Sequence, residues 1–313
     1  MENSVPLKLV KNCPICGNLN TEFVLSKNHD GRGERPIFIY KCRTCKIVFL
    51  GSWNEGFNSD LYDYYKSRIG KNKSELYDLI TESRYEKLLA SFKNIVHGNR
   101  VLDVGCGQGH FVDTAMRNGW DVFGIELSKP AVTICKQFGL PVEMLDFFSR
   151  DLLPKSYDVI TMFEFIEHVA HPHKFFCRAE ELLKASGLLY LTTPNFASLS
   201  RRLQGINWDI IHREHLTYFT PQTLKSLINR YTSFNIVYIR TQNLSLATIQ
   251  HLFSRIGKGE IRKNIHALDH EQELRQQIES SGILRLFKGF INHFLNWFDL
   301  GDCIVVLCRK KHR

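Results

Sequence analysis

From Arg100 onward, short apolar runs alternate with amphipathic stretches. Val101–Val104, Asp121–Ile125, Val142–Leu145, Tyr157–Met162 and Leu188–Thr192 read as strands. Phe111–Asn118, Pro130–Phe138 and Phe175–Leu183 carry helical periodicity between them. Gly119 and Gly139 follow two of these helices as stop signals, and Ser128 is a candidate N-cap. Strands alternating with helices predict a parallel sheet covered on both faces. Phe234–Arg240 and Cys303–Cys308 supply two more strands, making seven with one antiparallel edge. Upstream, Ile37–Tyr40 reads as a lone strand. Residues 53–95 form a charged helical arm carrying Tyr62, Tyr64, Tyr65, Arg84 and Tyr85, placed to lie over a neighbouring site. In Ile283–Leu300, Arg285, Lys288, Asn292, Asn296 and Asp299 recur at helical spacing opposite Phe287, Phe290, Phe294, Trp297 and Phe298. That pattern suits a helix packed on the domain or lying on a membrane surface, with contact through residues 283–298. The predicted divisions are 1–52, 53–95, 96–245, 246–300 and 301–313.

Composition adds limits. The 313 residues are 43% hydrophobic and 23% charged, which excludes wholesale disorder and a polytopic membrane protein. A net charge of +9 favours anionic partners, nucleic acid and acidic membrane surfaces included. Nine cysteines are too few for a disulfide scaffold. Met1–Asn12 lacks the apolar core of a signal peptide, so the expected location is cytoplasmic, with the tail as a peripheral contact at the inner membrane face. Reduced cysteines then read as metal ligands. Cys13-Pro-Ile-Cys16 and Cys42-Arg-Thr-Cys45 are two short loops that together offer four thiolates for tetrahedral zinc. Gly17 follows the first loop, where the chain turns tightly. The expectation is a small N-terminal zinc ribbon whose metal supplies much of its folding free energy.

The strongest chemical signal is Val101-Leu-Asp103-Val-Gly105-Cys-Gly107-Gln-Gly109-His110. A strand enters a glycine-rich turn and then a helix, which lets a ligand approach the backbone at the carboxyl edge of the sheet. Glu126 ends the second strand and suits a ribose diol. Asp146-Phe147 ends the third, offering an acceptor for an adenine amino group and an apolar wall. His110 stands where a dinucleotide fold has its third glycine, which argues against a nicotinamide cofactor. On LDVGCGQG, GIE, Asp146-Phe147 and YDVITMFEFIEHV, the chain resembles the class I S-adenosylmethionine-dependent methyltransferases. The resemblance implies an α/β, Rossmann-like seven-stranded sheet plus the ribbon and a C-terminal helical insertion. It implies that Asp103, Gly105, Gly107 and Gly109 wrap the methionine and ribose part of S-adenosylmethionine. Glu126 would hold the ribose, Asp146 and Phe147 the adenine, Phe163 would line the pocket, and Arg84 would meet the cofactor carboxylate.

Three segments follow the later strands: Glu164-Phe-Ile-Glu167-His168, Thr192-Thr-Pro-Asn195 and His212–Thr220. They resemble the ubiquinone-biosynthesis O-methyltransferases. The E-x-x-E-H string also resembles the small-RNA 2′-O-methyltransferases, which implies a divalent ion (magnesium, manganese or zinc) on Glu164, Glu167, His168 and His215. Without a metal, His215 is the candidate general base, assisted by Glu167 and His168. Ribbon plus cofactor motif resembles the zinc-containing sugar C-methyltransferases. Arg201, Arg202 and Trp208 are candidates to grip a phosphate and stack on a ring. The expected activity is O-methylation of a small-molecule, glycan or lipid-linked acceptor. The alternatives are RNA 2′-O-methylation, sugar C-methylation, and a non-catalytic protein retaining the fold.

Overall fold

The computed structural model describes residues 8–9, 12–28, 36–53, 59–244 and 293–311. Five strands open the chain: β1 (Lys8–Leu9), β2 (Thr21–Lys27), β3 (Ile37–Cys42), β4 (Val48–Leu50) and β5 (Ser52–Trp53). Helices α1 (Ser59–Lys66), α2 (Lys73–Leu76) and α3 (Leu79–Lys93) form the expected arm. Asp78 starts α3 by accepting the Ile80 and Thr81 amides, both at 3.1 Å.

The alternating region follows as β6 (Arg100–Val104), α4 (His110–Arg117), β7 (Asp121–Glu126), α5 (Lys129–Gln137), β8 (Val142–Met144), β9 (Tyr157–Phe163), α6 (Pro172–Leu182) and β10 (Leu183–Pro194). Then come α7 (Leu199–Gln204), β11 (Thr217–Tyr218), α8 (Pro221–Tyr231), β12 (Asn235–Gln242) and β13 (Cys303–Arg309). Seven strands form one sheet in the order β12-β13-β10-β9-β6-β7-β8. Strands β10, β9, β6, β7 and β8 are mutually parallel. Their carboxyl ends, and the loops that follow them, therefore share one edge.

The antiparallel strand is not the edge strand. β13 pairs antiparallel with both β10 and β12, one position in from the rim. Its burial explains the placement: Ile304–Cys308 is buried throughout, as a strand flanked and covered on all sides must be. The neighbouring β12 starts with alternating exposed and half-covered positions over Asn235–Tyr238, the pattern of a rim strand. On one face of the sheet Phe111, Val112 and Ala115 of α4 pack with Phe92 of α3. On the other, Phe176, Ala179 and Leu182 of α6 join Leu224 and Ile228 of α8.

A second sheet has four strands in the order β11-β4-β3-β2. The N-terminal ribbon is thus continued by a strand from beyond position 216. The expected division at residue 52 does not correspond to a separate core. Cys13, Ile15, Cys42, Ile47 and Phe49 belong to the same buried cluster as Phe219, Leu224 and Leu227. Of the predicted amphipathic helix Ile283–Leu300, residues 283–292 lie outside the described residues. Residues 293–297 are helical, with Leu295 buried and Phe294, Trp297 and Phe298 exposed.

Candidate active site

The glycine-rich turn leaves β6 with φ values of 69° at Gly105, 53° at Gly107 and 82° at Gly109. These lie in the left-handed region, which glycine enters at little cost. A side chain on Gly105 would collide with the Phe165 ring, and one on Gly107 would come within 2.7 Å of the Tyr65 hydroxyl. The Gly105 and Cys106 amides both donate to Ile125 O, at 2.9 and 3.1 Å, tying the turn to β7. Glu126, at the end of β7, accepts from the Gly107, Leu127 and Ser128 amides at 3.0, 2.8 and 2.8 Å. Ser128 therefore starts α5 through its amide and not, as expected, through a capping side chain.

Asp103 is buried, and the Thr161 hydroxyl donates to it at 2.6 Å. Burial pushes its carboxyl up to about 7, with the Glu126 charge adding to the rise and the Thr161 bond opposing it. Phe163 packs between Tyr85 and Phe111 at centroid distances of 5.1 and 4.9 Å. Arg84 is exposed on α3, adjacent to Tyr85. Asp146 accepts the Phe148 amide at 2.7 Å. Phe147 is turned inward, 3% exposed and stacked on Phe175 at 5.6 Å, so the solvent-facing ring of this loop is Phe148, at 45%.

The arm closes over the turn. Tyr77 donates its hydroxyl to Gln108 O at 2.9 Å and stacks on His110 with centroids 4.4 Å apart. Arg68 Nε donates to Gln108 Oε1 at 3.0 Å, and Gln108 Nε2 donates to Leu76 O at 2.9 Å. Tyr65 lies over the turn as the tyrosine-rich arm predicts, whereas Gln108 and Tyr77 carry no signal of their contacts in the sequence.

A second cluster lies after β9, whose carboxyl end sits beside that of β6. Glu164 takes φ 46°, and Ile166–His168 makes one 3-10 turn. Glu167 is buried; Thr193 Oγ1 donates to its Oε2 at 2.9 Å, and its Oε1 has no hydrogen-bond partner among the described residues. Burial and the neighbouring Glu164 charge hold the Glu167 carboxyl well above its ordinary range. His168 Nδ1 meets Glu214 O at 3.0 Å, and His215 Nδ1 meets Ile210 O at 2.9 Å. A carbonyl oxygen only accepts, so each Nδ1 bears the proton. In the neutral rings Nε2 is then the lone-pair nitrogen, the state of a base or a metal ligand. Ligand atoms of Glu167, His168 and His215 all lie within 4.8 Å of one another.

Glu164, expected as a fourth ligand, is not in that group. Its Oε1 faces the Cys303 thiol at 3.6 Å. Trp208 is 4% exposed in a core with Ile37, Leu50 and Tyr218, so it is not available to stack on a substrate ring. The Arg201 guanidinium lies 4.7 Å over the Phe196 ring.

The four ribbon cysteines converge, with Cys13 and Cys45 sulfurs 3.5 Å apart and Cys16 and Cys42 3.6 Å apart. Tetrahedral zinc with bonds of about 2.3 Å spaces its sulfurs by roughly 3.8 Å, so the donor set fits the ion. Gly17 and Lys46 take φ 70° and 63°, and their amides donate to Cys13 O and Cys42 O, both at 2.9 Å: the two loops are the same turn.

The profile of the family described as "Methyltransferase domain" matches residues 74–238, from the arm through β12. This chain belongs to the methyltransferase domain family. The ubiquinone biosynthesis O-methyltransferase of Photobacterium profundum is 28% identical over 132 residues, 40% of this chain and 54% of that protein. The mitochondrial enzyme of the same name from Schizosaccharomyces pombe is 30% identical over 158 residues, 47% of this chain and 56% of its own length. The chain thus spans about half the length of the curated relatives it matches. A SAM-dependent methyltransferase from Archaeoglobus fulgidus superposes with a TM-score of 0.50 at 20% identity, covering 80% of this chain and 99% of that one. The methyltransferase sheet, turn and arm described above are the class I S-adenosylmethionine-dependent fold. No helix among the described residues is long and apolar enough to cross a membrane.

Proposed function

We propose that this methyltransferase moves a methyl group from S-adenosylmethionine to a hydroxyl of a small-molecule, glycan or lipid-linked acceptor, with His215 taking the hydroxyl proton. The observation that carries this reading is the convergence of Glu167, His168 and His215 beside the glycine turn. The names of the curated relatives, O-methyltransferases, support it. S-adenosylmethionine, when bound, supplies an already activated methyl group on a sulfonium, so the chain's task is alignment and water exclusion.

The residues of the turn fit that cofactor. Three left-handed glycines leave its wall without side chains. Glu126 presents a fixed carboxylate to a diol. Asp146 is the acceptor at the adenine end, with Phe163 and Tyr85 along the wall and Phe147 supporting the loop from beneath. Arg84 reaches for the cofactor carboxylate from α3. Tyr65 and Tyr77 close the arm over the turn and exclude water. On the acceptor side, His215 Nε2 receives the proton while Nδ1 stays bound to Ile210 O, which fixes the ring's tautomer. Glu167 and His168 border the same space. Their donor set also fits a divalent ion, which would lower the hydroxyl pKa.

The test uses purified protein, methyl-labelled S-adenosylmethionine and a cell extract split into lipid, glycan, small-molecule, RNA and protein fractions. Label in the first three fractions, lost in His215→Ala with affinity for S-adenosylhomocysteine unchanged, is the expected result. Label confined to RNA would replace this acceptor class with the 2′-hydroxyl of RNA. Full turnover by His215→Ala would remove His215 from the chemistry.

A further inference from the structure

We propose that the ribbon is the positioning element for the acceptor-side histidine: metal on Cys13, Cys16, Cys42 and Cys45 fixes β4, and β4 holds the His215 segment against the Glu167 turn. This rests on reading the four thiols as a zinc site and His215 as an acceptor-side group.

The path is continuous. Cys42 is the last residue of β3, and β4 starts at Val48, so the second cysteine loop is the turn of the β3–β4 hairpin. Cys42 N donates to Ile47 O at 2.9 Å, and the hairpin register sets Lys41 opposite Val48 and Ile39 opposite Leu50. The other edge of β4 pairs with β11, Phe49 opposite Thr217 and Val48 opposite Tyr218. Leu216, the neighbour of His215, is the hinge of the contact. Its carbonyl accepts from Leu50 N at 3.0 Å, and its amide donates to Glu167 O at 2.8 Å. One residue thus joins ribbon, His215 and the Glu167 turn.

Between α7 and β11 the one regular element is the 3-10 turn Gly205–Asn207; two single turn bonds follow, Ile211 N to Trp208 O at 3.0 Å and His215 N to His212 O at 3.2 Å, and β11 is two residues long. A strand that short does not persist without a partner. Lys27 Nζ, at the end of β2, donates to Ile211 O at 3.1 Å. Ile37, Ile39, Val48 and Leu50 of the ribbon share one buried cluster with Trp208, Ile211 and Tyr218. The first cysteine loop is docked as well: His171 Nδ1 donates to Pro14 O at 3.0 Å and Tyr231 donates to Ile15 O at 3.2 Å. The glycine turn, by contrast, is hydrogen-bonded to Ile125, Glu126, Arg68, Leu76, Tyr77 and Cys135, none of them in the ribbon. Loss of the ribbon's metal is therefore felt at His215 and not at the cofactor turn.

The test uses the full chain, its zinc content measured, before and after stripping with a chelator. Amide exchange is followed in peptides spanning 205–219 and 100–126, the affinity for S-adenosylhomocysteine by calorimetry, and the His215 ring by NMR, assigned with His215→Gln. After zinc removal, exchange across 205–219 rises by about tenfold or more and the His215 resonances shift, while 100–126 and the affinity stay within about threefold. Leu50→Pro deletes the donor to Leu216 and reproduces the rise with zinc still bound. Unchanged protection across 205–219 in zinc-free protein overturns the proposal and leaves the zinc site standing. Loss of affinity together with protection across 100–126 also overturns it, because zinc would then support the whole fold. Purified protein without bound zinc refutes the thiol-site reading itself, and the proposal with it.

Discussion

Replacing Glu126 with glutamine tests the glycine-rich turn at a side chain that accepts three of its neighbours' amides. A carboxylate has about four acceptor positions. Three are taken here, by Leu127 and Ser128 amides on Oε1 and the Gly107 amide on Oε2. Glutamine can keep the first two by placing its oxygen at the Oε1 position. Its NH2 group then points at the Gly107 N–H, donor against donor. One charge-assisted bond is lost, worth about 1.5–3 kcal/mol, and half-exposure of the site favours the lower end. A thermal midpoint lower by roughly 3–6 °C is expected. If the same carboxylate binds the ribose diol, the ligand loses a further bond of that class. Affinity for S-adenosylhomocysteine then falls about 10- to 100-fold at 1.4 kcal/mol per decade. Calorimetric titration of Glu126→Gln, with circular dichroism to confirm the fold, measures both effects. A lower midpoint with affinity within twofold of wild type would refute the cofactor role, since Glu126 would then only brace the turn.

Gly109→Ala places a Cβ within 2.6 Å of Leu140 Cδ1 at φ 82°, so a loss of about 1–3 kcal/mol in urea unfolding is expected. Tyr77→Phe removes the hydroxyl bond to Gln108 O; stability should fall by about 1 kcal/mol, with faster amide exchange across α2 and the start of α3. Asp103 holds its proton up to about 7 in the folded protein but, unfolded, releases it near 4. Its contribution to stability is therefore full below about pH 4 and declines as pH rises to about 7, by at most about 4 kcal/mol. Urea melts across that range should be flatter for Asp103→Asn. Glu167, raised in the same direction, leaves a residual slope.

Much of this arrangement is legible in the residues because its physics is local. Three glycines two residues apart, after a buried strand, have few conformations to choose from, and all three sit at positive φ as the turn requires. Two cysteine loops of equal spacing make equal turns. The glutamate that ends β7 reaches the turn because parallel neighbours in register finish at the same edge. Less local features were misjudged or missed. Phe147 and Phe148 are adjacent and chemically identical and both rings meet Phe175; only the place of Phe147 in the buried core beneath the sheet decides which one turns inward. Glu164 and Glu167 share a motif and their carboxylates are neighbours, yet only Glu167 converges with His168 and His215. CIVVLC reads as a buried strand wherever it sits, so its slot between β10 and β12 could not be read from its own residues.

The sequence by itself determined the alternating sheet, the glycine-rich turn braced by Glu126, and the convergence of four thiols. Each follows from the conformational range of a few neighbouring residues or from a fixed spacing along the chain. Only the tertiary structure decided that β4 pairs with β11, that Leu216 links Leu50 to Glu167, and that His168 and His215 bring ligand atoms within 4.8 Å of each other and of Glu167. Those contacts join segments as much as about 170 residues apart. They are selected by which surfaces can be buried together once the sheet has formed, and no short stretch of sequence carries that information.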